Sequence, residues 1–244
     1  MTRAVLLIVT AGMLSTSATH AATVRVAVAA NFTRVAEELA PLFGTQTGHH
    51  VTYSFGATGQ LYTQISQGAP FEVLLAADDE RPTKAVAEGL AVAGTVFTYA
   101  VGALALYSAT LDLADGRAVL EAGGFDKIAI ADPAAAPYGR AATETIEALN
   151  LAAAITPKLV TGASITQTLQ FVETGNAELG FVAAGQVAGK PGVWTVPAAL
   201  YKPIRQDAVL LRSGEANPAA KSFMAFLASD TAVAVIKAAG YMVE

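Results

Sequence analysis

Val24-Arg25-Val26-Ala27-Val28 runs through Ala29-Ala30-Asn31-Phe32-Thr33 into apolar residues at helical spacing. A β-rich run followed at once by an amphipathic pattern predicts a strand that leads into a helix. Because the first N–H groups of a helix lack intrahelical partners, this junction directs donors into the space beyond the strand. Similar polar steps, each a potential anion contact, occur at Ser54-Phe55-Gly56-Ala57-Thr58-Gly59, Pro137-Tyr138-Gly139 and Gly162-Ala163-Ser164-Ile165-Thr166.

The composition is that of a compact globular protein. Of the 244 residues, 53% are hydrophobic and only 14% are charged, which excludes a disordered chain. A chain of this length buries one large core or two modest ones. The sequence contains no cysteine, so disulfides, thiol chemistry and cysteine metal sites are excluded and stability comes from packing.

The N-terminus has the three zones of a secretory signal peptide. Arg3 supplies the positive charge, residues 4–9 form an apolar run, and small residues follow up to Ala22. We predict a signal peptide over 1–21, cleaved after Ala21, and therefore export to the periplasm. The alternative is a membrane anchor, but an anchor needs about 20 apolar residues and this run gives way to Ser15 and Thr16.

The net charge argues against polyanionic partners. The formal net charge is −5, and loss of Arg3 with the signal peptide makes it −6. Lysine and arginine do not form a block anywhere in the sequence. We therefore expect neither nucleic acid nor an anionic membrane surface as a partner.

Apolar β-rich runs alternate with helical periodicity along the mature chain, which predicts an α/β fold with mainly parallel sheets flanked by helices. The first helix places Val35, Leu39 and Phe43 on one side and is expected to end at Gly44 and Gly48. The long apolar run 97–107 is expected to be a strand that leaves the first sheet.

The order of these elements predicts two lobes with a ligand cleft between them. Two crossovers are expected, near 100–104 and 202–206. Lobe 1 is then discontinuous and comprises 22–102 and 204–244, whereas lobe 2 comprises 103–203.

The sequence lacks the motifs of a secreted hydrolase, since no Gly-x-Ser-x-Gly elbow is present. His49 and His50 are adjacent, point to opposite faces of a strand, and are expected to be solvated rather than to bind a metal. Asp78 and Asp79 follow a strand end, where a solvated loop or a helix cap is the favoured interpretation over acid–base catalysis. We therefore predict that the protein is not an enzyme and has neither catalytic residues nor a cofactor.

The polar residues at the helix starts have an ordinary interpretation when they are taken singly. Asn31, Thr58 and Ser164 are typical helix caps, and Tyr138 is typical of a packed loop aromatic. Taken together, they mark four helix starts that follow strand ends, two in each predicted lobe. Ligands of open α/β sheets bind at that edge, so the joint pattern favours a ligand in the cleft.

The mature sequence resembles the periplasmic molybdate-binding proteins of ABC transporters over its whole length. It has the family's motifs in order and spacing. They are the junctions 29–33 and 54–59 quoted above, Gly68-Ala69-Pro70-Phe71-Glu72-Val73 running to Ala77-Asp78, Asp132-Pro133 with Pro137-Tyr138-Gly139, and Pro203-Ile204-Arg205-Gln206-Asp207-Ala208-Val209. The resemblance implies a type II periplasmic binding protein whose hinged lobes close on molybdate or tungstate. It further implies a monomer that delivers the oxyanion to a membrane ABC permease.

The resemblance also implies the ligand contacts. Asn31 stands where relatives have Ser or Asn, and would offer its main-chain N–H and its side chain. Thr58 stands where relatives have Ser, and would offer a hydroxyl and a main-chain N–H. Tyr138 and Ile165 would offer main-chain N–H groups from lobe 2. Molybdenum would thus be bound only as the oxyanion. Where some relatives have a tyrosine this chain has Ala183, so the Tyr138 hydroxyl is expected to replace the missing one.

Such a site has a simple electrostatic basis. Each helix N-terminus presents roughly +0.5 elementary charge, so several converging termini hold a dianion without lysine or arginine. A cavity of donors disfavours hydrogenphosphate, whose proton needs an acceptor. Sulfate, like molybdate, is fully deprotonated, so only the size of the cavity can distinguish the two anions. A carrier for sulfate, thiosulfate or another small oxyanion is therefore the alternative in the same class, and a secreted α/β enzyme is the alternative in a different class.

Overall fold

The computed structural model describes residues 21–244. The predicted signal peptide therefore lies outside the described residues, apart from Ala21. The strands in the described range are β1 (Thr23–Ala29), β2 (His50–Gly56), β3 (Val73–Leu75), β4 (Phe97–Gly102), β5 (Leu104–Tyr107), β6 (Ile128–Ala131), β7 (Leu159–Gly162), β8 (Leu179–Ala183), β9 (Val193–Thr195) and β10 (Ile204–Leu210). The α-helices there are α1 (Thr33–Thr47), α2 (Thr58–Ser66), α3 (Glu80–Ala87), α4 (Gly116–Ala122), α5 (Pro137–Ala148), α6 (Ala152–Ile155), α7 (Ile165–Glu173), α8 (Pro218–Leu227) and α9 (Asp230–Ala238).

The strands form two five-stranded sheets, and we call each sheet with its helices a lobe. The sheet of lobe 1 has the order β2-β1-β3-β10-β4, and that of lobe 2 has the order β7-β6-β8-β5-β9. In lobe 1, β1 lies parallel to β2 and β3, whereas β10 runs antiparallel to β3 and β4. In lobe 2, β6 lies parallel to β7 and β8, and β5 runs antiparallel to β8 and β9. The predicted α/β, two-lobe fold class is confirmed.

The chain passes between the two sheets at two adjacent places. β4 ends at Gly102 in lobe 1 and β5 begins at Leu104 in lobe 2, so the apolar run 97–107 forms two strands in different sheets. On the return, Ile204 at the start of β10 pairs with Gly102. Gly102 has no room for a side chain, because a Cβ atom there would overlap the Tyr138 hydroxyl.

Lobe 1 is held together by helices packed on its sheet. Helix α1 buries Val35, Leu39 and Phe43, and the Phe43 ring packs edge-on against Phe223 of α8, with centroids 5.3 Å apart. The helix continues through Gly44 and ends at Gly48, whose φ of 70° is the left-handed conformation that glycine adopts without strain.

The predicted solvated histidine pair is wrong for His49. Its side chain is buried, its ring lies 6.4 Å from that of Phe43, and its Nδ1 accepts a 3.2 Å hydrogen bond from the Ala22 N–H. His50 is exposed at the start of β2. The β-strand alternation therefore sends one ring into the core of lobe 1 and the other into solvent.

The helices in residues 21–244 can be compared with the length and hydropathy that a membrane-spanning helix requires. No single helix there is both long and apolar enough to cross a bilayer, although α8 and α9 meet the criteria as a pair bent by 57°.

Candidate functional site

All four residues predicted to bind the ligand meet at one small cavity between the lobes. The centre of a water-sized sphere can reach about 10 Å³ of this cavity. The cavity is lined by Ala29, Ala30, Asn31, Gly56, Ala57, Thr58, Ala77, Ala136, Pro137, Tyr138 and Ile165. The four predicted residues are each at most 5% exposed. Asn31 and Thr58 come from lobe 1, and Tyr138 and Ile165 come from lobe 2.

Lobe 1 supplies two turns that follow parallel strands. Asn31 lies in a short 3₁₀ turn, Ala30–Phe32, between β1 and α1. Thr58 is the first residue of α2, directly beyond β2, and its Oγ1 accepts a 3.0 Å hydrogen bond from the Ala77 N–H after β3. Because β1 lies between β2 and β3, these turns lie side by side at one sheet edge. Because Thr58 Oγ1 is the acceptor in the hydrogen bond from the Ala77 N–H, the Thr58 hydroxyl proton stays available to a ligand.

Lobe 2 supplies the starts of two helices. Pro137 and Tyr138 open α5, where proline is favoured because its missing N–H would have no intrahelical partner. Ile165 opens α7 after Ser164, whose Oγ accepts a 3.3 Å hydrogen bond from the Gln167 N–H. This cap leaves the Ile165 N–H unused within the helix, since it belongs to the first turn.

The cavity wall is neutral and rich in donors. No lysine, arginine, aspartate or glutamate is among the described residues that line it. Burial raises the pKa of the Tyr138 phenol well above its ordinary value, so its hydroxyl stays protonated near neutral pH. The groups at the cavity that carry partial positive charge are therefore the N-termini of α2, α5 and α7 rather than charged side chains.

The Tyr138 hydroxyl takes part in a buried network at the crossovers. It accepts a 3.1 Å hydrogen bond from Gln206 Nε2 and lies against Gly102. Ala183 is fully buried in β8 and is not among the cavity-lining residues. The replacement of a missing tyrosine hydroxyl by Tyr138 stays a prediction, and in this conformation that hydroxyl already accepts from Gln206.

The Asn31 side chain is also engaged inside the protein. Its Nδ2 lies 2.8 Å from Gln206 Oε1 and 3.2 Å from the Tyr241 Oη, and the Tyr241 hydroxyl donates to the Asn31 carbonyl oxygen at 2.9 Å. Both amide protons of Asn31 therefore have acceptors in the protein. The main-chain N–H of Asn31 is the donor that stays available to a ligand.

The lobes are closed on each other in this conformation. The Gly59 N–H donates to the Ala135 carbonyl at 2.8 Å, and the Thr166 hydroxyl donates to the Ala30 carbonyl at 3.1 Å. A Cβ atom on Gly59 would approach Ala135 to 3.1 Å, so glycine permits this close approach of the two lobes.

The sequence favours a solvated loop or a helix cap for Asp78, and the structure gives the helix-cap arrangement, with a side chain that is only 8% exposed. Asp78 pairs with Arg81 and accepts a hydrogen bond from the Arg81 N–H at 3.0 Å, which places it at the start of α3. Burial raises the pKa of Asp78, although the charges of Arg81 and Arg140 act in the opposite direction. Arg140 itself bridges to Glu80 across the lobes at 3.1 Å, so the charges nearest the cavity are paired.

Three residues of the network were not identified from the sequence, namely Tyr99, Gln206 and Tyr241. The sequence contained a signal for Gln206. Arg205, Gln206 and Asp207 are consecutive polar residues in β10, and Gln206 is fully buried. A buried amide requires hydrogen-bond partners, so its position in β10 indicates a polar neighbour from another element. Tyr99 and Tyr241 gave no such signal, because buried tyrosines are common in cores.

Comparison with known proteins agrees with this architecture. The model of the bacterial extracellular solute-binding protein family matches residues 24–242. The molybdate-binding protein ModA of Rhodobacter capsulatus is 53% identical over 89% of this chain and 87% of its own length. ModA of Azotobacter vinelandii is 52% identical over 95% of this chain and 94% of its own length.

A solved structure gives the same result in three dimensions. The periplasmic molybdate-binding protein of Azotobacter vinelandii superimposes with a TM-score of 0.86 at 40% identity, covering 91% of this chain and 99% of that protein. The resemblance inferred from the sequence is confirmed, as is the prediction of a solute-binding protein that is neither an enzyme nor dependent on a cofactor. The chain belongs to the bacterial extracellular solute-binding protein family.

Proposed function

We propose that this chain captures molybdate, and also tungstate, in the cavity between the lobes and delivers it to a membrane ABC permease. The observation that carries the proposal is the convergence of Asn31, Thr58, Tyr138 and Ile165 on a cavity without charged side chains. Molybdate presents four acceptor oxygens and two negative charges, and helix-start N–H groups with a threonine hydroxyl present the complementary donors. Relatives at 52% and 53% identity are named for the same ligand.

Isothermal titration calorimetry with molybdate, tungstate, sulfate and hydrogenphosphate tests the proposal. We expect saturable one-to-one binding of molybdate and tungstate and much weaker binding of the other two anions. Tight binding of sulfate with weak binding of molybdate would favour the alternative carrier. Calorimetry is preferred to fluorescence because the single tryptophan, Trp194, lies on β9 and is not among the cavity-lining residues.

We further propose that the mature protein is a periplasmic monomer with a hinge at the crossovers. Lobe 1 would comprise 22–102 and 204–244, lobe 2 would comprise 103–203, and the signal peptide 1–21 would be removed. β4 and β10 are antiparallel neighbours, and the pairing of Gly102 with Ile204 places the two crossovers side by side. This arrangement supports the division, because two adjacent connections permit rotation with little change inside either lobe.

Binding is expected to reduce the radius of gyration. The contacts of Gly59 with Ala135 and of Thr166 with Ala30 join the lobes only when they are closed. Small-angle X-ray scattering with and without saturating molybdate measures this change, and the scattering mass gives the oligomeric state. An unchanged radius together with tight binding would contradict the hinge, and a doubled mass would contradict the monomer.

Affinity for molybdate is expected to depend only weakly on sodium chloride. The cavity lining has no basic residue, and Arg140 is paired with Glu80 on an exposed part of the interface. Between about 0.01 M and 0.15 M salt the Debye length falls from about 30 Å to about 8 Å, yet buried hydrogen bonds are hardly screened. We expect dissociation constants that agree within a few-fold.

The Arg140→Gln variant is the control for that measurement. The exposed pair is worth about 0–1 kcal/mol, so its loss should alter affinity little and should remove part of any residual salt dependence. A steep loss of wild-type affinity that Arg140→Gln abolishes would show that Arg140 attracts the anion.

A further inference from the structure

Gln206 occupies the centre of the buried network that reaches from the cavity to the crossovers. The residue is fully buried in β10. Its Oε1 lies 2.8 Å from Asn31 Nδ2 and 3.2 Å from the Tyr99 Oη, and its Nε2 donates to the Tyr138 Oη at 3.1 Å. One amide therefore contacts a predicted ligand-binding residue from each lobe.

The backbone of β10 accounts for the direction of this side chain. Gln206 pairs with Ala100 of β4, and the register with β4 shifts between Gln206 and Asp207. A shift of this kind changes the direction of the side chains and interrupts the regular pairing of the two strands. Gly102, the last residue of β4, lies against the same Tyr138 hydroxyl that Gln206 contacts. The network thus lies where the two crossover strands meet.

The contacts of Gln206 fall into two groups that respond differently to opening. Asn31 and Tyr99 belong to lobe 1, so their hydrogen bonds to Gln206 do not require closure. Tyr138 belongs to lobe 2, and separation of the lobes would leave Gln206 Nε2 without this acceptor. A buried amide donor without a partner is unfavourable, so the amide favours the closed arrangement.

The same amide fixes the turn that contains Asn31. The Asn31 side chain is held by Gln206 and Tyr241, and its carbonyl oxygen accepts from the Tyr241 hydroxyl. The Asn31 N–H shares a peptide plane with the Ala30 carbonyl, and that carbonyl accepts hydrogen bonds from the Thr33 hydroxyl at 2.9 Å and the Thr166 hydroxyl at 3.1 Å. The contacts of the Asn31 side chain and carbonyl fix the residue on the other side of this plane. The main-chain N–H of Asn31 is then held in the wall of the cavity rather than having to be ordered by the ligand.

We propose that Gln206 is a positioning residue that couples oxyanion binding to closure of the lobes, an inference that rests on the proposed function. Gln206 does not touch the anion. It orders the Asn31 turn and forms a hydrogen bond to Tyr138 only in the closed state, so anion affinity and closure depend on the same amide.

A double-mutant cycle with Gln206→Met and Tyr138→Phe tests this coupling. Methionine keeps the length of the side chain without its hydrogen bonds, and phenylalanine deletes only the hydroxyl while keeping the Tyr138 main-chain N–H. We expect each single variant to weaken molybdate binding roughly 3- to 10-fold, mainly through faster dissociation. The double variant should be little weaker than the worse single variant, because both changes remove the same interlobe hydrogen bond.

Tyr53→Phe is the matched control. Its hydroxyl is buried in lobe 1 and has no hydrogen-bond partner among the described residues. This variant should keep wild-type affinity and wild-type dissociation rate, which separates loss of the network from loss of any buried hydroxyl.

Scattering and thermal melting supply the readouts that a merely structural role would not produce. At half-saturating molybdate, Gln206→Met and Tyr138→Phe should show a larger radius of gyration than wild type at the same concentration. Lower melting temperatures with unchanged affinity, or affinity losses that multiply in the double variant, would overturn the coupling.

If Gln206→Met does not fold, Tyr138→Phe alone decides: unchanged affinity overturns the proposal. Failure of the wild type to bind molybdate would instead overturn the proposed function, and this inference with it.

Discussion

Ile165→Pro is expected to weaken molybdate binding by roughly 1.5 to 3 kcal/mol, the range for a hydrogen bond to a charged group, or about 10- to 150-fold. The substitution deletes the main-chain N–H that we propose Ile165 donates to the anion. Proline is tolerated at the first position of a helix, and Ile165 is the first residue of α7. Ser164 before it is extended, with φ −149° and ψ 167°, which is the conformation that a following proline requires.

Ile165→Ala is the matched control for this loss. Both substitutions remove a side chain that is 3% exposed in the core of lobe 2, so both lose packing, but alanine retains the N–H. Calorimetry below the melting temperature of both variants gives the comparison. We expect alanine to bind within a few-fold of wild type. Equal affinities of the two variants would refute the assignment of a main-chain donor at this position.

Thr58→Val is expected to reduce both affinity and stability. Valine has nearly the shape of threonine but can neither donate to the anion nor accept from the Ala77 N–H, which now donates to Thr58 Oγ1 at 3.0 Å. Loss of the donor should weaken binding by roughly 1.5 to 3 kcal/mol, and the unpaired Ala77 N–H should lower the free energy of unfolding by roughly 1 to 3 kcal/mol. Calorimetry and urea denaturation measure the two effects separately.

Thr58→Ser distinguishes the contribution of the Thr58 hydroxyl from that of its methyl group. Serine retains the donor and the acceptor, so its affinity should stay near that of wild type while its stability falls by about 1 kcal/mol for the lost methyl group. If Thr58→Val loses stability but binds molybdate like wild type, Thr58 serves only to join α2 to the segment after β3, and its assignment to the ligand is wrong.

The alternation of strands and helices could be predicted from the sequence because each pattern is local. The helix start predicted at Ser164-Ile165 is confirmed by α7, which begins at Ile165, and α8 begins in the same way after Asn217. Their start signals are the Ser164 and Asn217 caps, and these caps act through hydrogen bonds to the next two or three residues. Helices α3 and α4 were missed because they carry few apolar residues in a regular period.

The environments of individual polar residues could not be predicted in the same way. His49 was expected in solvent, and Asp78 was expected either in a solvated loop or at a helix cap. Both are buried with hydrogen bonds to backbone N–H groups. Whether a polar side chain near a strand end is solvated depends on which elements later pack over it. That information lies in residues distant in the sequence, such as Phe43 against His49.

The sequence by itself determined the α/β class, the order of the elements and the four helix starts that carry the candidate ligand contacts, because strand period, helix period and capping act over a few residues. Only the tertiary structure decided that Asn31, Thr58, Tyr138 and Ile165 share one neutral cavity, that the Tyr138 hydroxyl contacts Gln206, and that the Asn31 side-chain amide is hydrogen-bonded within the protein. These facts depend on contacts between residues up to 210 positions apart, as between Asn31 and Tyr241. Local propensity does not encode such contacts, since the packing of two sheets and their crossovers brings those residues together.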